Sequence, residues 1–122
     1  MAPAGAHLTI GARGFIHLDY SEPVKGLRPS ASRLFSSLAS AFGDDSIGII
    51  MTCMGDDGVD GLVSLSKAGA HVIAQDEVSS VVFGMNKTAI ERGIVDEVLS
   101  PEGIITRLTK LHRHMQTLSR LK

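Results

Sequence analysis

The run Ile47-Gly48-Ile49-Ile50-Met51 leads straight into Thr52-Cys53-Met54-Gly55-Asp56-Asp57-Gly58, and that junction limits what the chain can fold into more than any other stretch. An unbroken apolar run rich in β-branched residues suits a strand buried on both faces, as in a parallel sheet. The glycine-bounded loop that follows carries two adjacent carboxylates, and an apolar pattern resumes at Leu62, Val63 and Leu65. A strand passing through a loop into a helix puts those carboxylates at its carboxyl end, where open α/β sheets place their ligands. Chemistry is expected there first.

The flanking segments extend this unit. A helix is expected from Gly58 or Val59 to Ala68, closed by Gly69, and His71-Val72-Ile73-Ala74 reads as the next strand, giving a right-handed βαβ unit. The polar stretch Gln75-Asp76-Glu77-Val78-Ser79-Ser80 lies past that strand's carboxyl end and should share a crevice with the acidic loop. Upstream, residues 7 to 20 read as a β-hairpin turning at Gly11-Ala12-Arg13-Gly14, with Leu8, Ile10, Ile16 and Leu18 on one buried face. After Pro23, Gly26 and Pro29, Ser30 or Ser32 can cap a helix carrying Leu34, Phe35, Leu38, Ala39 and Phe42, with Gly43 at its end. Downstream, a helix is expected from Asn86 to Arg92, a short apolar segment from Ile94 to Leu99, and a last helix opened by Pro101 with Ser100 as its cap. The stripe Ile104, Leu108, Leu111, Met115 and Leu118 is too short for a coiled coil; its first half should pack on the sheet, leaving the part beyond His112 to fray or meet a second chain.

Composition narrows the function classes. A chain of 122 residues with 43% hydrophobic and 20% charged residues is one ordinary globular domain. Its formal net charge of −1 makes no field that gathers nucleic acid or an anionic membrane, so neither is expected as a partner. The basic residues Arg107, Lys110, Arg113, Arg120 and Lys122 suit the negative end of a helix dipole. A lone cysteine, Cys53, agrees with a reducing, cytoplasmic setting. No apolar run reaches the roughly 20 residues a spanning helix needs, and the first residues show no signal-peptide pattern.

Several chemistries could use Asp56, Asp57 and Asp60. The loop lacks the alternating acids and distal Glu of a calcium-binding EF-hand. It has no phosphate-binding glycine loop beside it to suggest magnesium and phosphoryl transfer. A general base or a histidine-orienting carboxylate remains, and so does a plain solvated Asp-Gly turn. His7, His17, His71, His112 and His114 are scattered without metal-ligand spacing and read as surface or edge residues, so neither a metal nor a cofactor is expected. Carboxylates beside Cys53 disfavour its thiolate, and no serine sits in a Gly-x-Ser-x-Gly turn.

Taken together, Thr52-Cys53-Met54-Gly55-Asp56-Asp57-Gly58, Ala68-Gly69, the run Ile73-Ala74-Gln75-Asp76-Glu77-Val78-Ser79-Ser80-Val81-Val82-Phe83-Gly84-Met85, Ala89-Ile90, Ala2-Pro3-Ala4-Gly5-Ala6-His7-Leu8 and Arg28-Pro29-Ser30 resemble the catalytic domain of the CheB-type chemotaxis methylesterases. The resemblance covers residues 2 to 108. It implies hydrolysis of glutamate methyl esters, and deamidation of glutamines, on the cytoplasmic region of chemoreceptors by a Ser-His-Asp triad on a parallel α/β sheet. Asp57 matches the triad aspartate, which orients the histidine, and Met54 the residue whose backbone N–H binds the oxyanion. The family's nucleophilic serine and catalytic histidine precede the Ala-Pro segment, so both are expected to be absent from this chain, which then reads as a truncated catalytic domain, incomplete at its N-terminal side. Cys53 stands where the family has glycine, Ser32 where it has Asp, and Asn86-Lys87-Thr88 where Pro, a basic residue and Glu are common. A sheet short of its first strands exposes an edge, so self-association through that edge or the last helix is expected. The alternative is a non-catalytic binding or assembly module of the same descent.

Overall fold

The computed structural model describes residues 1–52 and 55–120. Three parallel strands in the order β3-β4-β5 form the main sheet: β3 Ile47–Ile50, β4 His71–Gln75 and β5 Glu97–Leu99. β4 is central, and its Val72, Ile73 and Ala74 are all fully buried, which is why its sequence is apolar without alternation. Val72 and Ala74 face a core with Ile50, Leu62, Leu65, Met85 and Ala89. That layer is built by α2 (Val59–Lys67) and α3 (Gly84–Glu91), with α1 (Ala31–Ala41) packed on α2. Alternation turns Ile73 to the opposite face, where α4 (Pro101–Arg120) supplies the buried Ile104. Helices on both faces of a parallel sheet define the α/β class expected of the sequence.

Glycine permits the tightest contact in this core. A Cβ on Gly61 would stand 2.5 Å from the Ser32 carbonyl oxygen and 2.6 Å from its Cα, so α1 and α2 touch backbone to backbone. That approach brings the start of α1 against the acidic loop.

An antiparallel hairpin, β1 (His7–Ile10) with β2 (Ile16–Asp19), forms a separate two-stranded sheet whose inner strand packs on α1. Two residues of the outer strand correct the expectation of a buried face. Ile16 and Leu18 are 65% and 47% exposed, because among the described residues no helix packs over β2 as α1 packs on β1. Element bounds shift elsewhere: β3 stops before Met51, α3 begins at Gly84 rather than Asn86, and only Glu97–Leu99 of the segment after Ile94 is strand. Gly43, at φ 52°, opens a 3-10 turn, Gly43–Asp45, after α1 has ended. Ser100 caps α4 as expected, its hydroxyl accepting the Gly103 N–H at 3.1 Å. Met115 and Leu118, beyond His112, are 66% and 47% exposed.

Candidate functional site

Asp57 lies between β3 and α2, and its carboxylate reaches the first turn of α1. The Ser30 hydroxyl donates to Oδ1 at 2.7 Å, and the Ala31 N–H donates to Oδ2 at 2.6 Å. Ser30 therefore occupies the cap position without bonding the helix itself; the carboxylate of Asp57 meets an N-terminal amide of α1 in its place, where the helix dipole favours negative charge. The backbone of Asp57 is fixed as well: the Ser32 hydroxyl donates to its carbonyl and accepts the Gly61 N–H at 3.2 Å. Half-buried, the Asp57 carboxylate holds two bonds among the described residues, both from uncharged donors, and a carboxylate has lone pairs for about four. It can take a further N–H donor without losing either.

His7, expected at the surface or at an edge, is completely buried. It escapes sequence reasoning because its partners are backbone atoms: Nδ1 accepts the Ser30 N–H at 3.1 Å, and Nε2 bonds the Glu22 carbonyl at 3.0 Å. Only its place at the head of a strand hinted at burial.

The other acids differ. Asp60 is exposed and pairs with Lys25 at 2.9 Å and Arg92 at 3.5 Å; the Lys25 ammonium first, then Arg92, holds its pKa below the usual carboxylate range. Asp56 is exposed. Cys53 and Met54 lie outside the described residues, so the expected oxyanion donor is not placed.

The polar stretch after β4 does adjoin the acidic loop, through an unforeseen amide. Gln75, buried, accepts the Thr52 N–H on Oε1 at 2.8 Å and donates from Nε2 to the Ser79 carbonyl at 2.9 Å. The Thr52 hydroxyl also accepts the Val82 N–H at 2.9 Å. Asn86, buried beneath, donates to the Gln75 carbonyl at 2.9 Å, and its Oδ1 has no partner among the described residues. Among the described residues no group of three His, Cys, Asp or Glu side chains could hold a metal ion, and no helix is long and apolar enough to cross a membrane.

An α/β unit with a preset carboxylate at the end of a parallel strand defines the class. Comparison with known proteins gives the family. Residues 1–108 match the model of the CheB methylesterase family. A protein-glutamate methylesterase/protein-glutamine glutaminase of Rhizobium meliloti is 46% identical over 113 residues, covering 93% of this chain and 32% of that protein. One from Xanthomonas campestris pv. campestris is 49% identical over 110 residues, covering 88% and 31%. The crystal structure of the Thermotoga maritima CheB methylesterase catalytic domain superposes with a TM-score of 0.83 at 35% identity, covering 89% of this chain and 59% of that one. The chain belongs to the CheB methylesterase family, and it spans about a third of the length of these curated relatives.

Proposed function

We propose that this chain supplies the carboxylate-bearing part of a serine-type hydrolase site that acts, in the cytoplasm, on glutamate methyl esters and glutamine amides of chemoreceptors. The observation that carries the reading is the pair of uncharged donors, Ser30 Oγ and Ala31 N–H, that aim Asp57, with no ion pair to it among the described residues. Asp57 accepts the Nδ1–H of a histidine, fixes its tautomer and stabilises the imidazolium. A serine Oγ attacks the ester carbon; its proton passes to the histidine and then to the departing methanol, and water releases the glutamate carboxylate. The Met54 N–H binds the oxyanion. The serine and histidine come from outside these 122 residues, in keeping with the share of the relatives that the chain spans.

The test is a hybrid domain that joins this chain to the part of the Thermotoga maritima catalytic domain it leaves uncovered. Methanol release from a methylated receptor fragment should appear in the hybrid, at a rate at least about 100-fold above that of the chain alone. A hybrid that melts cooperatively yet releases no methanol would overturn the reading in favour of a binding or assembly module.

A further inference from the structure

We propose that His7 and Ser30 are positioning residues for Asp57, with a neutral His7 setting the backbone of Ser30 so that two donors converge on the carboxylate. The inference rests on the reading of Asp57 as the histidine-orienting acid. Four points distant in sequence meet here: His7 at the head of β1, the Glu22 carbonyl, Ser30 at the entry to α1, and Asp57 after β3. His7 and Ser30 are 0% and 2% exposed, so water does not compete for their bonds.

The hydrogen bonds fix the state of the ring. Nδ1 faces an N–H and can only accept, so Nε2 carries the proton and donates to the Glu22 carbonyl. Both nitrogens are occupied by backbone, which leaves His7 no role as a general base. What it controls is the Ser30 amide. That amide, held at 3.1 Å from Nδ1, orients the residue whose hydroxyl meets Oδ1 and whose successor's N–H meets Oδ2. An aspartate gripped this way keeps a fixed direction for its remaining lone pairs, and misplacement of a catalytic group by about 1 Å can cost roughly 100-fold in rate.

Two substitutions separate positioning from mere packing. With His7→Asn the shorter side chain's amide oxygen falls near the place of Nδ1 and still accepts from Ser30; with His7→Gln the longer side chain's terminal amide reaches the place of Nε2 and serves only Glu22. Each breaks one bond and removes the ring, so His7→Asn and His7→Gln should lower the melting temperature of the hybrid domain alike. Their turnover should differ. His7→Gln is expected to lower kcat by about 10- to 100-fold with KM nearly unchanged, whereas His7→Asn keeps most of kcat. Ser30→Ala, which removes only the hydroxyl, should lower kcat by about 10-fold. Equal kcat in the two His7 variants, or no loss in Ser30→Ala, would overturn the proposal.

A readout without turnover separates this inference from the reading beneath it. The Ala31 amide proton, deshielded by Asp57, should move upfield in His7→Gln and stay in His7→Asn. An unmoved resonance in both would overturn the positioning role, whereas unchanged turnover in Asp57→Asn would overturn the triad reading instead.

Discussion

Asp57 after β3 and Glu97 on β5 are both held at short range, and they are held in opposite ways. Glu97 accepts from His71 Nε2 at 2.5 Å and from Arg107 Nε at 3.0 Å, both on the same oxygen. These partners, His71 first, keep its pKa below the usual carboxylate value, and they staple β4, β5 and α4 together. Asp57 accepts only from a hydroxyl and a backbone amide among the described residues, so it is aimed but not neutralised. A carboxylate with a cationic partner is finished as an electrostatic element. One with neutral partners can still stabilise a positive charge that develops beside it, which is what an imidazolium requires of it.

Substitutions can break or sharpen this contrast, and their expected effects on the hybrid domain's stability fall in a clear order. Gly61→Ala should be the most damaging, at about 3 kcal/mol in denaturant unfolding, because its Cβ meets Ser32 backbone at 2.5 Å and only a shift of α1 away from Asp57 relieves it. Ser30→Ala should cost about 1 kcal/mol, since Oδ1 loses one half-buried donor that water partly replaces. Glu97→Gln should cost roughly 0.5 kcal/mol at neutral pH, its pair being only partly shielded from solvent.

The Glu97 effect carries a pH signature. Its folded pKa lies below the ordinary 4.5, so the unfolded chain binds protons more readily. The stabilisation is therefore present in full above that value and is lost as pH falls through the folded value. Thermal melts should show the gap between the parent and Glu97→Gln closing as the pH drops well under 4.5. Met115→Ser, on the exposed end of α4, should change stability by less than about 0.5 kcal/mol; a larger loss would show that this end is covered in solution.

Much of this arrangement could be read from the residues, and what could not has a physical reason. The apolar run before Asp57 located β3, and the buried centre of β4 followed from Val72, Ile73 and Ala74, because burial on both faces leaves a continuous apolar trace. Alternation at Ile16 and Leu18 told which residues share a face of β2, but nothing in it tells whether another element covers that face. In sequence, His7 and Gln75 look like ordinary polar residues. Their partners are the carbonyl of Glu22 and the amides of Ser30 and Thr52, and backbone atoms leave no mark in a sequence. Likewise Asp57 stood out as an acid in a strand-end loop, while the donors that aim it, 26 and 27 residues upstream, became visible only when α1 and α2 met at Gly61.

The most direct measurement of the central claim is kcat for methanol release by the hybrid domain carrying Asp57→Asn beside the same domain carrying Glu97→Gln. The account predicts a loss on the order of 10,000-fold for the first, as when a triad aspartate loses its charge, and a rate within about twofold of the parent for the second. Comparable rates in the two would contradict it, for Asp57 would then be a capping carboxylate of α1 and nothing more.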